Sequence, residues 1–542
     1  MQLYFVFMAF IVINFNWITQ KVNILSNIIE IMSMNKFLLI VAILICSTRL
    51  SAQSQTNKYQ YKIDLLNMRD NRVQVSLVPP KTNQREAKFV MPKLIPGYYD
   101  AMNFGQYVSA FKAFNKKGEP ITVKRLDTNT WIVPDLKNTA RITYEVSSGW
   151  EDLPQNTPGA KSAESTFKKD KLFILNYNAL VGYFEKVRNK GYKVTVKKNR
   201  EFYPSSALEY THQNDTIDVV SAKDYRHLVD APVMYCVPDT TWITVGNAKV
   251  LVSFYSQSHQ SYSKTLASRL DTILRSQQAY LGGRLPVNEY AFLIYHEKIP
   301  RGLMADGLEH SNSTVCLYGS GTLDQLPEAL IDVASHEFFH ILTPLNIHSK
   351  EVQDFNFLNP VLSRHLWLYE GMTEYATMHM PIKQRMISLQ QFAKKIEAKI
   401  KGMEGFDNNL SMTVMSTNAI KRQDQYMNFY QKGALIGLCL DIRLRELSNG
   451  KLGTQELMQK LVKKYGPEKA FKDEDLFNVI TAFTFPEIRQ FFKDYVEEGQ
   501  TISLKEILMK VGLDYDEAAK TVFEMNNPSS SQLSLRKAWI NQ

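Results

Sequence analysis

The chain has 542 residues, of which 44% are hydrophobic and 22% charged. That is too long for one ordinary core and too apolar for a disordered chain, so two or three globular domains are expected. The formal net charge of +10 is scattered, with no basic run interleaved with aromatics, which speaks against nucleic-acid binding.

The N-terminus reads in two pieces. Residues 1–33 are apolar and rich in Asn and Ile, but polar residues interrupt every stretch long enough to span a membrane. They read as an upstream extension ahead of a true start at Met34. From there "MNKFLLIVAILICSTRLSAQ" places Lys36 before an apolar block, Phe37 to Cys46, and a small residue at Ala52. That is the layout of a secretory signal peptide over 34–52, cleaved after Ala52. A secreted or periplasmic protein is expected, with no stable membrane insertion after cleavage; an anchor formed by both pieces is the alternative. Cys236, Cys316 and Cys439 remain beyond the signal. Their wide spacing gives neither a disulfide framework nor a CxxC metal site, so they are expected to be buried small hydrophobes.

Residues 53–255 are strand-like. In "ARITYEVSS", Ile142, Tyr144 and Val146 alternate with Arg141, Thr143 and Glu145. "VQVSLVPP", "ITVKRL" and "TWIVPDL" read the same way, separated by Asn, Asp, Gly and Pro turns. An antiparallel β-sandwich is expected.

From 256 to 500 the period becomes helical. "SKTLASRLDTILRSQQAYLGG" is an amphipathic helix ending near Gly282, and "YAFLIYH" is a short strand. Helices are then expected over roughly 326–343, 361–380, 386–402, 426–447, 454–465, 473–483 and 486–497. Residues 501–542 form a tail, loose and polar after Asn526.

The chemistry gathers around "SHEFFH", Ser335 to His340. Positions four apart share a helix face, so His336 and His340 can present two imidazoles to one Zn2+. Glu337, beside the first, can act as general base on water that the metal acidifies. A catalytic zinc needs a third protein ligand, and the candidates are Glu370, Glu374, His348, His365 and His310. Glu370, in "HLWLYEGMTEY", sits where a following helix can fold back antiparallel. His365 lies about 140° around that helix from Glu370, and His348 falls in a loop and reads as surface. Glu374, one turn after Glu370, can accept a hydrogen bond from a ligand histidine or sit solvated. Glu309, in "ADGLEH" after the strand, can bind a substrate's amino group. Tyr430, near the head of "NFYQKGALIGLCLDIRLREL", can stabilise an oxyanion. Asp306 reads either as extra negative charge near that amine or as a turn residue before Gly307.

These segments, in this order, resemble the glycyl aminopeptidase family of gluzincin metallopeptidases, distant relatives of aminopeptidase N. "HEFFH" with "LWLYEGMTEY" is similar to the family's HExxH and WxxEGxTxY elements, "GLEHSNST" to its GGxEH stretch, and "YQKGALIGLCLDIRLRE" to its catalytic-tyrosine segment. "MPKLIPGYYDAMNFGQYVSAFKA" and "YRHLVDAPV" resemble its N-terminal β-domain. The resemblance implies an α+β multidomain protein: an N-terminal antiparallel β-sandwich domain followed by a thermolysin-like, mainly helical zinc metallopeptidase domain. It implies His336, His340 and Glu370 as zinc ligands, Glu337 as general base, Tyr430 as oxyanion stabiliser and Glu309 as amine anchor. The substrates implied are peptides with a free N-terminus, with Gly or Ala first. The sequence departs from the family at "HILTPLN", where Trp-Asn is usual, and at Asp306, where glycine is usual. The 29 residues after "ISLKEILMKVGL" are too few for the PDZ domain the family often carries. An endopeptidase or another small-substrate hydrolase on the same site stays open, as does a non-catalytic binding protein with a relict zinc site.

Overall fold

The computed structural model describes residues 57–150, 160–258, 260–296, 305–318 and 326–541. The expected extension, the signal peptide and its cleavage site lie outside these residues. Among them no helix is long and apolar enough to cross a membrane.

Alternating side chains build the first half. In the strand Arg72–Val78, Val73, Val75 and Leu77 are buried. Ile142, Tyr144 and Val146 are buried in the same way on the neighbouring strand Thr139–Ser147. These belong to an eight-stranded sheet that includes one parallel pair, Tyr59–Arg69 with Tyr192–Lys197. A four-stranded sheet faces it, joined through Phe89 and Tyr144 (ring centroids 6.0 Å apart) and the stacked Phe111 and Trp131 (5.1 Å). A further four-stranded sheet, containing Leu172–Leu175 and Val233–Cys236, completes this half.

The second half begins earlier than 255. The strands Thr240–Val245 and Ala248–Ser256 belong to a five-stranded sheet with Glu289–His296, Ser313–Tyr318 and Asp306–His310. Ala248–Ser256 runs parallel to Glu289–His296. Its Val250, Leu251, Val252 and Phe254 are all buried, because both faces of the sheet are covered. Apolar periodicity identifies such a strand but not the sheet it joins. Asp306–His310 lies at the sheet edge.

Ser263–Tyr280 and Leu326–Phe339 pack on this sheet, and further helices follow close to the expected ranges: Leu389–Gly402, Asn428–Leu447, Thr454–Lys464 and Leu476–Phe483. The helix expected from 361 starts late. Asp473 accepts from Ser363 Oγ (2.6 Å) and from the Arg364 amide (2.9 Å), which holds that segment outside the helix. One π-turn, Trp367–Gly371, then leads into the α-helix Met372–Lys383. All three cysteines beyond Ala52 are free and buried.

The tail is not loose. Ser529 and Gln532 form a capping box, and the helix Ser530–Ile540 follows. Its Trp539 is fully buried. Trp539 Nε1 donates to the Tyr375 hydroxyl (2.9 Å), which donates to Asp441 Oδ2 (2.6 Å). Asp441 also accepts from Arg445 Nε (3.1 Å) and the Thr454 amide (2.8 Å). His379 Nε2 donates to the Trp539 carbonyl (3.0 Å), and its Nδ1 accepts from the Tyr280 hydroxyl (2.9 Å). Polar composition hid a helix whose buried Trp539 closes a polar network.

Replacing Trp539 by Ala is expected to cost about 3–5 kcal/mol of stability, read as a lowered urea midpoint. Burial pushes His379 and His365 down to about 4. The unfolded chain then takes up more protons between pH 6.5 and 4, so stability is full above that window and falls as pH drops through it. Each histidine is expected to contribute about 1.4 kcal/mol of loss per pH unit within the window, measured by denaturant unfolding at pH 7 and pH 5.

Candidate active site

The helix Leu326–Phe339 is held on two sides by successive aromatics. Phe338 packs against Tyr290 (ring centroids 4.9 Å apart), and Phe339 packs against Tyr280 (5.7 Å). Gln277 Nε2 donates to the Ser335 carbonyl (2.8 Å) and fixes the helix along its axis. His336 and His340 are left facing a cavity of about 820 Å3 between the sheet edge and the helices, which Glu309, Glu337, Glu370 and Tyr430 also line.

The two imidazoles are oriented from behind. His336 Nδ1 donates to Glu374 Oε2 (2.8 Å), and His340 Nδ1 donates to the Thr343 carbonyl (2.9 Å). Each Nε2 therefore carries its lone pair toward Glu370. His336 Nε2 lies 3.6 Å and His340 Nε2 3.9 Å from Glu370 Oε2. Those distances are too long for hydrogen bonds, and the buried His336 Nε2 has no hydrogen-bond partner. Two imidazole nitrogens and one carboxylate oxygen, within 4.8 Å of one another, are a donor set that fits a zinc ion with an open position. Glu374 was open between a solvated and a supporting role. It is the supporting one: its second oxygen pairs with Lys399. Burial would raise its pKa, but the His336 and Lys399 bonds hold it down at about 2.

The remaining candidate ligands lie elsewhere. His365 is fully buried; its Nε2 donates to the Asp473 carbonyl (2.7 Å) and its Nδ1 accepts from Trp367 (3.3 Å). His348, expected at the surface, is 1% exposed, because its Nδ1 is bonded to the Pro344 carbonyl and the surrounding segment closes over it.

Glycines bring the other groups close. Gly371 and Gly433 touch backbone to backbone; a Cβ on Gly371 would lie 2.7 Å from the Gly433 Cα. The helix bearing Tyr430 thereby reaches the turn bearing Glu370, and the Tyr430 ring lies 5.5 Å from that of His336. A Cβ on Gly307 would meet Glu337 Oε1 at 2.8 Å, so the edge strand passes directly over that carboxylate. From the first half, Gly97 (φ +82°) approaches Glu309 Oε1 equally closely. Its loop is fastened by Gln423 Nε2 donating to the Tyr99 carbonyl (2.6 Å). Sequence reasoning missed Gly97, Tyr99, Tyr426 and Lys399 at this site; only the glycine in "IPGYYD" gave a signal, as a turn residue.

Burial and neighbouring carboxylates shape the charges. Glu337 is pushed up to about 8, chiefly by burial, against the lowering effect of His336. Glu309 is raised well above the usual range by burial and by the charges of Glu370 and Glu337. Asp306 is the first residue of the edge strand rather than a turn residue, and burial raises it to about 6. The site is a concentration of acid groups that bound cations would offset. Replacing Glu374 by Ala is expected to lower zinc affinity about 10- to 100-fold, measured by competition with a metal indicator.

Comparison with known proteins places the chain. A family profile described as the Peptidase M61 N-terminal domain matches residues 60–237, and one described as M61 glycyl aminopeptidase matches residues 329–436. Among solved structures, an aminopeptidase N family protein from Idiomarina loihiensis superposes with a TM-score of 0.73 at 21% identity, over 84% of this chain and 78% of that one. An M1 zinc metallopeptidase from Deinococcus radiodurans superposes with a TM-score of 0.50 at 13% identity, over 83% and 95%. These likenesses show a shared fold, a β-rich half followed by a helical half. A comparison with curated proteins finds no match. The two profile matches together span more than half of the chain, and the protein belongs to the M61 glycyl aminopeptidase family, metallopeptidases of the aminopeptidase type.

Proposed function

We propose that the protein is a zinc-dependent aminopeptidase that removes short N-terminal residues from peptides, with His336, His340 and Glu370 holding the metal. The observation that carries the exopeptidase reading is the position of Glu309. Its carboxylate comes within 4.8 Å of ligand atoms of Glu337 and His340, and its raised pKa marks a buried acid short of positive charge. A substrate's ammonium supplies that charge.

A zinc ion held by the three ligands supplies Lewis acidity toward water and toward the scissile carbonyl. The chain's own groups do the rest. Glu309 receives the amino group and sets the first peptide bond at the metal site. The edge strand Asp306–His310, which pairs with Ser313–Tyr318 on one side, takes up the following peptide along its outer side. Glu337 takes a proton from the attacking water and passes it to the leaving amine. The Tyr430 hydroxyl donates to the oxyanion as the carbonyl carbon becomes tetrahedral. The signal-like segment 34–52 supports a site of action outside the cytoplasm.

The test uses the mature enzyme on aminoacyl reporter amides. Chelation is expected to abolish cleavage and added zinc to restore it. Glu337→Gln is expected to lower kcat about a thousandfold or more. Glu309→Ala is expected to abolish cleavage of free-amine peptides; faster cleavage of N-blocked than of free peptides by the wild type would make the protein an endopeptidase instead.

A further inference from the structure

The contact of Gly371 with Gly433 brings the Tyr430 helix close but cannot hold it in place. Two bare backbones have no side chains to interlock, so the helix Asn428–Leu447 is free to turn or slide at that point. Its first turn, which carries Tyr430, is also poorly secured from within. Met427 at the N-cap makes no side-chain capping bond. The Phe429 and Tyr430 amides reach back only three residues, to the Tyr426 and Met427 carbonyls (3.0 and 3.1 Å).

A lysine secures the helix from the other side. Positions 430 and 432 lie about 200° apart around the axis, and Lys432 is only 1% exposed. Its ammonium donates to the Asn408 carbonyl (2.7 Å) and, at longer range, to those of Leu410 (3.3 Å) and Gly499 (3.4 Å). Three donors meet three acceptors. The acceptors belong to two segments that are themselves locked together. A Cβ on Gly499 would meet the Asn409 carbonyl oxygen at 2.5 Å, and Ser411 Oγ donates to the Val496 carbonyl (3.2 Å). Asn428, in the same turn as Tyr430, adds a bond from its Nδ2 to Asn408 Oδ1 (3.3 Å). Burial lowers the lysine's pKa to about 8, which leaves it charged at neutral pH. An apolar side chain of similar length would fill this space without desolvating a charge. What the ammonium adds is directed bonds to a rigid support.

We propose that Lys432 is a positioning residue for Tyr430: by gripping Asn408, Leu410 and Gly499 it fixes the rotation of the helix about the glycine contact, and so places the phenol where the oxyanion forms. The inference rests on the aminopeptidase reading above. The lever is long enough to matter. A phenol hydroxyl stands roughly 8 Å from its helix axis, so a turn of about 10° moves it by about 1.4 Å. A displacement of about 1 Å at a reacting group costs up to about a hundredfold in rate.

The experiment measures kcat and KM of the mature zinc enzyme on a free-amine reporter amide, for the wild type, Lys432→Met, Tyr430→Phe and the double variant. Lys432→Met is expected to lower kcat about 30-fold and to leave KM within about twofold. Zinc affinity, read by competition with a metal indicator, is expected to stay within about twofold, because the metal-binding residues lie on other segments. Tyr430→Phe is expected to lower kcat about a hundredfold or more. Adding Lys432→Met to it is expected to cost nothing further, since the group being positioned is gone. If Lys432→Met does not fold, Asn428→Ala, which loosens the same grip, replaces it. A fall in kcat of about fivefold is then expected, again absent beside Tyr430→Phe. Unchanged kcat in the folded variant, the same loss with and without the Tyr430 hydroxyl, or full activity of Tyr430→Phe overturns the inference and leaves the aminopeptidase reading standing. Failure of the wild type to cleave any free-amine reporter overturns both.

Discussion

The contact between Gly371 and Gly433 sets the geometry of everything around it. Two helical segments cross there without side chains between them. One carries Glu370 and, a turn later, Glu374; the other carries Tyr430. Neither Glu370 nor Tyr430 could stand over the two histidines if the segments were a methyl group further apart. The π-turn at Trp367–Gly371 belongs to the same device, since it fits an extra residue into the turn at the point where Glu370 faces inward. A local irregularity and a missing pair of Cβ atoms do the work that a longer side chain would do less rigidly.

The electrostatic design follows from that closeness. Glu309, Glu337, Glu370 and Glu374 line one cavity, and among them Glu374 has an ion pair with a lysine, Lys399. A chain from Lys399 through Glu374 to His336 Nδ1 fixes the tautomer of the first histidine, whereas a backbone carbonyl does this for the second. Burial and neighbouring carboxylates raise Glu309 and Glu337, whereas His336 and His340 hold Glu370 below the usual range against its burial. A metal at His336, His340 and Glu370 and an ammonium at Glu309 would each relieve part of the repulsion.

Much of this was legible in the sequence, for physical reasons. A helix of period 3.6 must put His336 and His340 on one face, and a half-buried strand must alternate as "ARITYEVSS" does. Glu309, Glu370 and Tyr430 each lie in a short segment with its own resemblance, and the structure brings all three to the same cavity. What stayed hidden depends on long-range contact. Ala248–Ser256 is apolar enough to join either half. His348 looks like loop but is covered by its own chain. Trp539 sits in polar surroundings, and nothing local says that Tyr375 and His379, some 160 residues earlier, provide its pocket. The loop at Gly97 meets Glu309 only once both halves have folded.

The Trp539 latch also orders events in time. The helix it closes carries Glu374 on the catalytic side and His379 on the latch side, so the support behind His336 is built on an element that stays incomplete until the final helix docks. A chain emerging from a ribosome displays its metal-binding motif long before that docking segment appears. The hydrogen bond that orients His336 would thus gain its full support only after a segment some 160 residues downstream has docked, which ties the rigidity of the site to a contact made far from it in sequence.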